Sequence, residues 1–470
     1  MRHTRIVATI GPATESADTL DALVAAGLDV ARLNASHSRP DELAERFAAV
    51  RAAGERAGRP VAVMLDLAGP KLRVGEMTEG TVLEQGATFE LVSGECDGDA
   101  TRACVSYPGL AADLSPGDRL LLDDGRIELF VTDVSDEGVT TRVQVGGALS
   151  SNKGLNVPGV TLSLDAITER DREVLAWGLE AGIDLVAMSF VRCADDVERL
   201  RELIGDTDVP IVAKIEKHEA VDDIGPIVAA SDAVMVARGD LGVETSAEAV
   251  PVLQRRIITA ARAEGVPVIV ATQMLESMTS APHPTRAEAS DVANAIFEGA
   301  DCVMLSAETA IGEYPVQSVA TMARIVVRAE EDSVAPPSGG RRSAGHPGDV
   351  TQAVSAAVCD LAESLELAAI VTATQSGATS RAVSRHRPAV PIVAVTPYEH
   401  VARRLQVVWG VRALVVPLAE DTDLMLERVL SAVAEAGYAR PGQRVAVTAG
   451  VAARESGATD FILVREVPAA

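Results

Sequence analysis

The stretch Pro210-Ile-Val-Ala-Lys-Ile-Glu216 decides how the rest of the chain is read. Its small and β-branched residues form a short apolar run, the pattern of a parallel strand buried on both faces, but the run ends in a cation and a carboxylate. Residues two apart in a strand share a face, so Lys214 and Glu216 point the same way. The same unit recurs downstream: Ala233–Ala237 runs into Arg238-Gly-Asp240, Pro267–Thr272 closes on a hydroxyl, and Cys302–Leu305 runs into Ser306 and Glu308. It recurs upstream as Leu185–Phe190, which carries Ser189, and before that as Arg5–Ile10, Val30–Asn34 and Val61–Asp66. Helical patterns such as Ser16–Ala26, Pro40–Arg56 and Pro315–Glu331 separate or follow these runs. Eight strands alternating with helices is the count that closes a parallel (β/α)8 barrel.

The alternation breaks once. From Gly69 to about Val160 the chain is rich in Gly, Thr, Val and Asp, with turn signals at Ser115-Pro-Gly-Asp118 and Asp123-Asp-Gly125, as expected of a small inserted β domain. Val334-Ala-Pro-Pro-Ser-Gly-Gly-Arg-Arg-Ser-Ala-Gly345 has the composition of a linker. Beyond it, apolar runs at Ala369–Thr372, Ile392–Val395, Ala413–Val416 and Val445–Val447 predict an open α/β domain. The expected organisation is an α/β barrel over 1–68 and 161–333, an inserted β lid over 69–160, a linker over 334–345 and a C-terminal α/β domain over 346–470.

Among the 470 residues, 68 Asp and Glu outweigh 42 Lys and Arg, for a net charge of −26. Such acidity argues against nucleic acid and anionic membrane surfaces as partners, because both require a local excess of Lys and Arg. The N-terminal MRHTRIVATIG has no long apolar segment, and no uncharged apolar run reaches the roughly 18 residues of a membrane span. Cys96, Cys104, Cys193, Cys302 and Cys359 contain no C-x-x-C pair, which points to a reducing, cytoplasmic setting rather than a disulfide framework or structural zinc site.

A barrel's active site lies at the C-terminal ends of its strands, where the βα loops converge. The residues expected there are Arg32 and Asn34 after the second strand, Asp66 after the third, Ser189 after the fourth, Lys214 and Glu216 at the fifth, Arg238 and Asp240 after the sixth, Thr272 after the seventh, and Ser306 and Glu308 after the eighth. Burying charges of both signs is costly unless they pair or hold ions. Glu216 and Asp240, on adjacent strands, are a candidate site for Mg²⁺ or Mn²⁺, hard cations that take oxygen ligands and leave positions for substrate. With Arg32 and Lys214 beside them, the set suits stabilisation of a phosphoryl group in transfer. No P-loop, H-E-x-x-H or G-x-S-x-G motif occurs. His37, His218 and His283 show no metal-ligand spacing and read as structural.

Taken together, the motifs resemble those of the pyruvate kinase family. They are Ala31-Arg-Leu-Asn-Ala-Ser-His37, Leu65-Asp-Leu-Ala-Gly-Pro-Lys-Leu-Arg73, Asn152-Lys-Gly154, Lys214-Ile-Glu216, Val236-Ala-Arg-Gly-Asp-Leu-Gly-Val-Glu244, Ala271-Thr-Gln-Met-Leu-Glu-Ser-Met278, Pro284-Thr-Arg-Ala-Glu-Ala-Ser-Asp291 and Met304-Leu-Ser-Ala-Glu-Thr-Ala310, in the family's order. The resemblance implies a mobile lid, a regulatory C-terminal domain, a homotetramer, and phosphoryl transfer from phosphoenolpyruvate to ADP giving pyruvate and ATP. By the same resemblance Arg32 grips the substrate phosphate and Lys214 stabilises the transferring group. Glu216 and Asp240 hold the divalent ion, while Gly239, Asp240, Thr272 and Ser189 receive the substrate. Asn34, His37, Arg73 and Lys153 meet the nucleotide, and Thr272, Ser306 and Glu308 serve the protonation of the enolate.

Two departures from the family's pattern stand out. Many members carry glutamate where this chain has Lys71, and require K⁺ in a pocket matching Asn34, Ser36, Asp66 and the Leu67 carbonyl. A tethered ammonium is itself a monovalent cation, so Lys71 is expected to fill that role and to make activity independent of K⁺. Ile311 stands where lysine is common, removing one positive charge from the nucleotide side. In the C-terminal domain, Thr374, Ser376, Gly377, Thr379 and Ser380 form a hydroxyl-rich loop between a strand and a helix, a candidate anion site that the family uses for phosphorylated effectors. A Mg²⁺-dependent aldolase barrel would share the carboxylates and arginine but lacks the insertion and the C-terminal domain. A sensor without catalysis would be expected to have lost Arg32, Lys214, Glu216 or Asp240.

Overall fold

The computed structural model describes residues 2–36, 38–332, 349–417, 422–449 and 459–468. Eight parallel strands close a barrel: Arg5–Thr9, Val30–Asn34, Ala62–Asp66, Leu185–Met188, Ile211–Ile215, Ala233–Ala237, Val268–Ala271 and Cys302–Leu305, each hydrogen-bonded to its sequence neighbours and the last to the first. Side chains on the inner faces, among them Val7, Met64, Met235 and Met304, fill the barrel, and the outer faces pack on the surrounding helices. The helices start and stop where sequence chemistry dictates. Thr168 and Thr285 each accept a hydrogen bond from the third helical residue, a carboxylate reaching back to the cap, and Gly182, Gly265 and Gly299 end helices with positive φ.

The seventh and fourth strands end earlier than their apolar runs. Thr272 and Phe190 lie just beyond them with φ of 68° and 55°, left-handed values that cost bulky residues about 1–3 kcal/mol each. The expected insertion is a six-stranded sheet in the order Leu155–Asn156, Arg119–Leu122, Ile127–Ser135, Gly138–Val145, Thr88–Ser93, Arg102–Val105, with a small two-stranded sheet beside it. Here the cysteine expectation is corrected: Cys96 and Cys104 form a disulfide inside the lid. The residues are only eight apart in sequence, so a short turn closes the pair without any C-x-x-C spacing. The cysteines therefore give no argument for a reducing compartment.

The C-terminal sheet has the order Val411–Val415, Ile392–Thr396, Ala369–Ala373, Arg444–Ala449, Phe461–Glu466. Its last strand is antiparallel and half-exposed, which is why it gave no buried apolar run. This domain packs under the N-terminal floor of the barrel, where the Arg5 Nε donates to the Val408 carbonyl at 3.2 Å and the Gly410 N–H donates to the His3 carbonyl at 3.1 Å. The linker 334–345 lies outside the described residues. No helix among the described residues is long and apolar enough to cross a membrane.

Candidate active site

Lys214 is the centre of the barrel mouth. Its side chain leaves the fifth strand into a nearly solvent-free space, where Nζ donates to Ser189 Oγ at 2.7 Å and lies 2.9 Å from Glu216 Oε1 and 3.3 Å from Asp66 Oδ1. Burial works against the ammonium, but Asp66 and Glu216 outweigh it and hold the Lys214 pKa above its ordinary value. Arg32, from the second strand, donates through Nε to Asp66 Oδ2 at 2.6 Å and through Nη1 to Thr9 Oγ1 at 3.0 Å. Register explains the meeting, since Thr9 is the cross-strand partner of Arg32 and Asn34 that of Asp66. Against its own burial, Asp66 is kept ionised below the usual carboxylate range by Lys214 and Arg32.

Glu216 is in the opposite condition. Burial and then the nearby Asp240 charge raise its pKa, although Lys214 and the Phe190 N–H, which donates to Oε2 at 2.8 Å, favour the anion. A buried carboxylate with a second carboxylate beside it is a fitting donor set for a divalent cation. Among the described residues no cluster of three or more His, Cys, Asp and Glu gathers for a metal, so an ion at Glu216 and Asp240 would draw its remaining ligands from substrate and water.

The seventh-strand turn is built around Arg238. Its guanidinium does not face the mouth; it donates to the carbonyls of Ala271, Thr272 and Gln273 and pairs with Asp291 at 2.5 Å. That grip fixes Thr272 in its left-handed conformation, where Oγ1 accepts the Gly239 N–H at 2.8 Å. Sequence reasoning placed Arg238 at a strand end without assigning it this task.

Other predicted residues fall in distinct places. Lys71 forms its ion pair with Asp240, at 3.5 Å, and none with Asp66. The atoms of the expected monovalent pocket already have partners within the protein: Asn34 Oδ1 accepts the Ser36 N–H at 3.1 Å, the Leu67 carbonyl accepts from Ser189 Oγ at 2.7 Å, and Asp66 holds Arg32 and Lys214. Both Glu308 oxygens accept backbone N–H groups, of Leu275 at 3.1 Å and Ser306 at 2.7 Å, while Ser306 Oγ is buried without a partner among the described residues. Arg73 and Lys153 stay within the lid and its hinge, Arg73 Nη1 donating to the Asn152 carbonyl at 2.9 Å and Lys153 Nζ pairing with Asp123 at 2.7 Å. His37 lies outside the described residues. In the C-terminal loop, Thr374 Oγ1 accepts the Gly377 N–H, Ser380 bonds Thr372 and Thr379 bonds Thr459, which leaves Ser376 as the exposed hydroxyl.

A link that the sequence did not disclose ties lid to barrel. Asn156 Nδ2 donates to Glu244 Oε1 at 2.8 Å, and Lys217 Nζ lies 3.0 Å from Glu244 Oε2. Glu244 ends the short helix Arg238–Glu244 that carries Gly239 and Asp240.

The family model for the barrel domain of pyruvate kinase matches residues 1–319, and that for its alpha/beta domain matches residues 352–465. The chain belongs to the pyruvate kinase family. It is 45% identical over 475 residues to pyruvate kinase 2 of Synechocystis sp., covering 100% of this chain and 80% of that one. It is 46% identical over 472 residues to the pyruvate kinase of Geobacillus stearothermophilus, covering 99% and 80%. Against the pyruvate kinase of Mycobacterium tuberculosis it is 43% identical over 469 residues, covering 99% and 98%. Membership of the pyruvate kinase family makes the chain a phosphotransferase, and its constellation of Arg32, Lys214, Glu216 and Asp240 stands at the barrel end where such chemistry belongs.

Proposed function

We propose that the chain transfers the phosphoryl group of phosphoenolpyruvate to ADP, yielding pyruvate and ATP as the last step of glycolysis, in the cytoplasm. The observation that carries this is the Lys214 ammonium, held by Ser189, Asp66 and Glu216 beside the Arg32 guanidinium. Arg32 Nη2 has no hydrogen bond among the described residues and is available to a phosphate oxygen. Lys214 is a fixed point charge for the group in flight, and its longest contact, to Asp66, is the one an incoming oxygen replaces. The Gly239 N–H and Thr272 orient the substrate carboxylate, with Arg238 keeping the turn in place. A divalent ion at Glu216 and Asp240, Mg²⁺ or Mn²⁺, would supply charge neutralisation between substrate oxygens. The residues assigned to the nucleotide are Asn34, His37, Arg73 and Lys153. Because Arg73 and Lys153 are bonded within the lid, they reach a nucleotide through lid movement.

Independence from K⁺ is proposed on the lysine that stands where many family members have glutamate; Lys71 brings a fixed cation to the mouth, beside Asp240 rather than Asp66. The domain limits proposed are 1–68 with 161–333, 69–160 and 346–470. A homotetramer, and a phosphorylated effector met at the Thr374–Ser380 loop through Ser376, follow from the resemblance. A coupled assay for pyruvate from phosphoenolpyruvate, ADP and Mg²⁺ tests the activity, and folded protein without turnover overturns it. Adding KCl to a K⁺-free assay at matched ionic strength is expected to change the rate by less than about twofold; many-fold activation overturns the role given to Lys71.

A further inference from the structure

Between the barrel floor and the C-terminal domain lies a shallow cleft, open to solvent, lined in part by Arg262, Arg381, Arg385 and Arg387 with Asp301 as its one acidic lining residue. Four guanidiniums around one carboxylate is an unusual local balance in a chain with a net charge of −26. Two of them converge on Gly299: a Cβ there would stand 2.7 Å from Arg262 Nη1, and Arg387 Nη2 donates to the Gly299 carbonyl at 2.8 Å. Arg385 sits over Gly265 in the same way, donating to the Ala263 carbonyl at 2.6 Å.

Capping the last turns of two helices accounts for part of this, since cations are favourable there. It does not account for the remainder. Arg387 Nη1 is buried with no hydrogen-bond partner, and Asp301 already serves Arg387 Nη2 at 3.0 Å and the Val268 N–H at 3.0 Å. Arg262 has no side-chain hydrogen bond or ion pair among the described residues, yet its charge lies close enough to oppose that of Arg387. Asp301 offsets part of the positive charge, but it leaves the buried Arg387 Nη1 without an acceptor, and such a donor among several guanidiniums is stabilised by an anion.

We propose that this interdomain cleft binds a small phosphate-bearing anion, at a site separate from the barrel mouth and from the Thr374–Ser380 loop. The enclosed space is only about 20 Å³, far below an ordinary ligand pocket, so it suits a single phosphate group seated at the surface, with any ester substituent left in solvent, rather than a nucleotide. Arg381 connects the cleft to the loop, since its Nη1 also donates to the Ser376 carbonyl at 3.4 Å, just before the start of its own helix. Occupancy of the cleft thereby bears on the loop's geometry.

The molecule contains its own reporter. Of its two tryptophans, Trp409 packs against Arg387, whose guanidinium carbon is 4.6 Å from the ring centre, and Trp177 lies on the barrel's outer side against Phe47. In a Trp177→Phe background, titration with inorganic phosphate at constant ionic strength is expected to change Trp409 emission saturably. Arg262→Gln, an exposed position, should weaken that titration by about tenfold or more, and Ser376→Ala should leave it within about twofold. A parallel titration with a hexose monophosphate distinguishes a phosphate ester, if it binds more tightly, from the free ion; either result supports the site. Absence of a saturable change, an unchanged titration in Arg262→Gln, or its loss in Ser376→Ala overturns the proposal.

Discussion

The two ends of the barrel both bury charge, and they do so by different rules. At the floor, an aspartate stands directly before each even-numbered strand: Asp29, Asp184, Asp232 and Asp301. Each accepts the backbone N–H of a residue at the start of the preceding strand, from Ile6, Val63, Ile211 and Val268 at 2.8–3.0 Å. Each also pairs with arginine, Asp29 with Arg2 at 2.6 Å and Arg5 at 3.3 Å, Asp184 with Arg51 and Arg403, Asp232 with Arg201, Asp301 with Arg387. The device repeats because one task is the same at each position, to fix strand ends; at Asp184 and Asp301 the arginines Arg403 and Arg387 also tie in the lower domain. At the mouth nothing repeats. Each strand ends in a different group, and the charges are left partly at odds, with Glu216 raised by burial and Asp240 while Asp66 is lowered by Lys214 and Arg32. Repetition of one pairing ties strand ends together, with the open donor of Arg387 as the place where the floor too leaves room for a ligand; at the mouth, different groups converging on one space leave work for a ligand throughout.

Replacing the central cation tests the contrast most severely. Lys214→Met keeps the stem and removes the charge, so kcat should fall by on the order of 10³-fold or more, while phosphoenolpyruvate remains bound by Arg32. Steady-state kinetics beside equilibrium binding measures this, and a loss under tenfold would erase the distinction drawn for the mouth. The matching floor variant, Asp29→Asn, leaves Arg2 and Arg5 facing a neutral group in a buried site, which costs about 3–5 kcal/mol. Urea unfolding should register that loss, with kcat of the folded fraction within about twofold of the parent.

Acid extends the same test. Burial raises the Asp29 pKa, but Arg2, Arg5 and Arg59 outweigh it and hold the group below its ordinary value. The folded protein therefore binds this proton more weakly than the unfolded chain. Its contribution is complete above the unfolded value of about 3.9 and is lost as pH falls through the lower folded value. The acid limb of the stability profile should accordingly be shallower in Asp29→Asn than in the parent.

How much of this was legible in the sequence follows from the same division. Barrel strands are continuous apolar runs, so their number and the charged residues at their ends could be read directly, and Arg32, Lys214 and Glu216 meet because period-two geometry and register leave no other place for them. The floor aspartates were equally visible, one before every second run, but a carboxylate beside a strand carries no mark of the distant arginine it will pair with. Arg238 misled by proximity: two residues from Asp240 in sequence, it turns the other way because the carbonyls of Ala271, Thr272 and Gln273 lie within its reach. The Cys96–Cys104 pair and the Asn156–Glu244 link are tertiary events with no local pattern.

Arg238 provides a test of intermediate size. Lysine in its place retains the charge but cannot span several carbonyls and Asp291 at once, so Thr272 should relax from its left-handed conformation. Arg238→Lys is expected to lower kcat about 10–100-fold with a smaller change in KM for phosphoenolpyruvate. Exchange of the methyl protons of pyruvate with solvent should slow in parallel, because that reaction needs the same turn. Equal changes in kcat and unfolding stability, without a change in proton exchange, would reduce Arg238 to a structural residue.

The smallest effect is expected where the two kinds of region meet. Asn156 belongs to the inserted domain, but its partner Glu244 closes the helix that presents Asp240, so the bond ties that domain to the mouth and would resist any opening between them. Glu244 is buried and keeps Lys217 in Asn156→Ala, so its charge is not left alone. What is lost is one charge-assisted hydrogen bond, net about 1.5 kcal/mol, or roughly tenfold in the lid's opening equilibrium. Asn156 and Glu244 are not assigned to substrate, nucleotide or metal, and kcat/KM should therefore change by less than about threefold. Hydrogen exchange separates the two consequences. The Leu155 amide, which donates to the Leu72 carbonyl at the hinge, should exchange about tenfold faster while barrel-strand amides keep their rates. Faster exchange throughout the barrel would mean that Asn156 belongs with the floor's uniform framework rather than with the moving parts of the mouth.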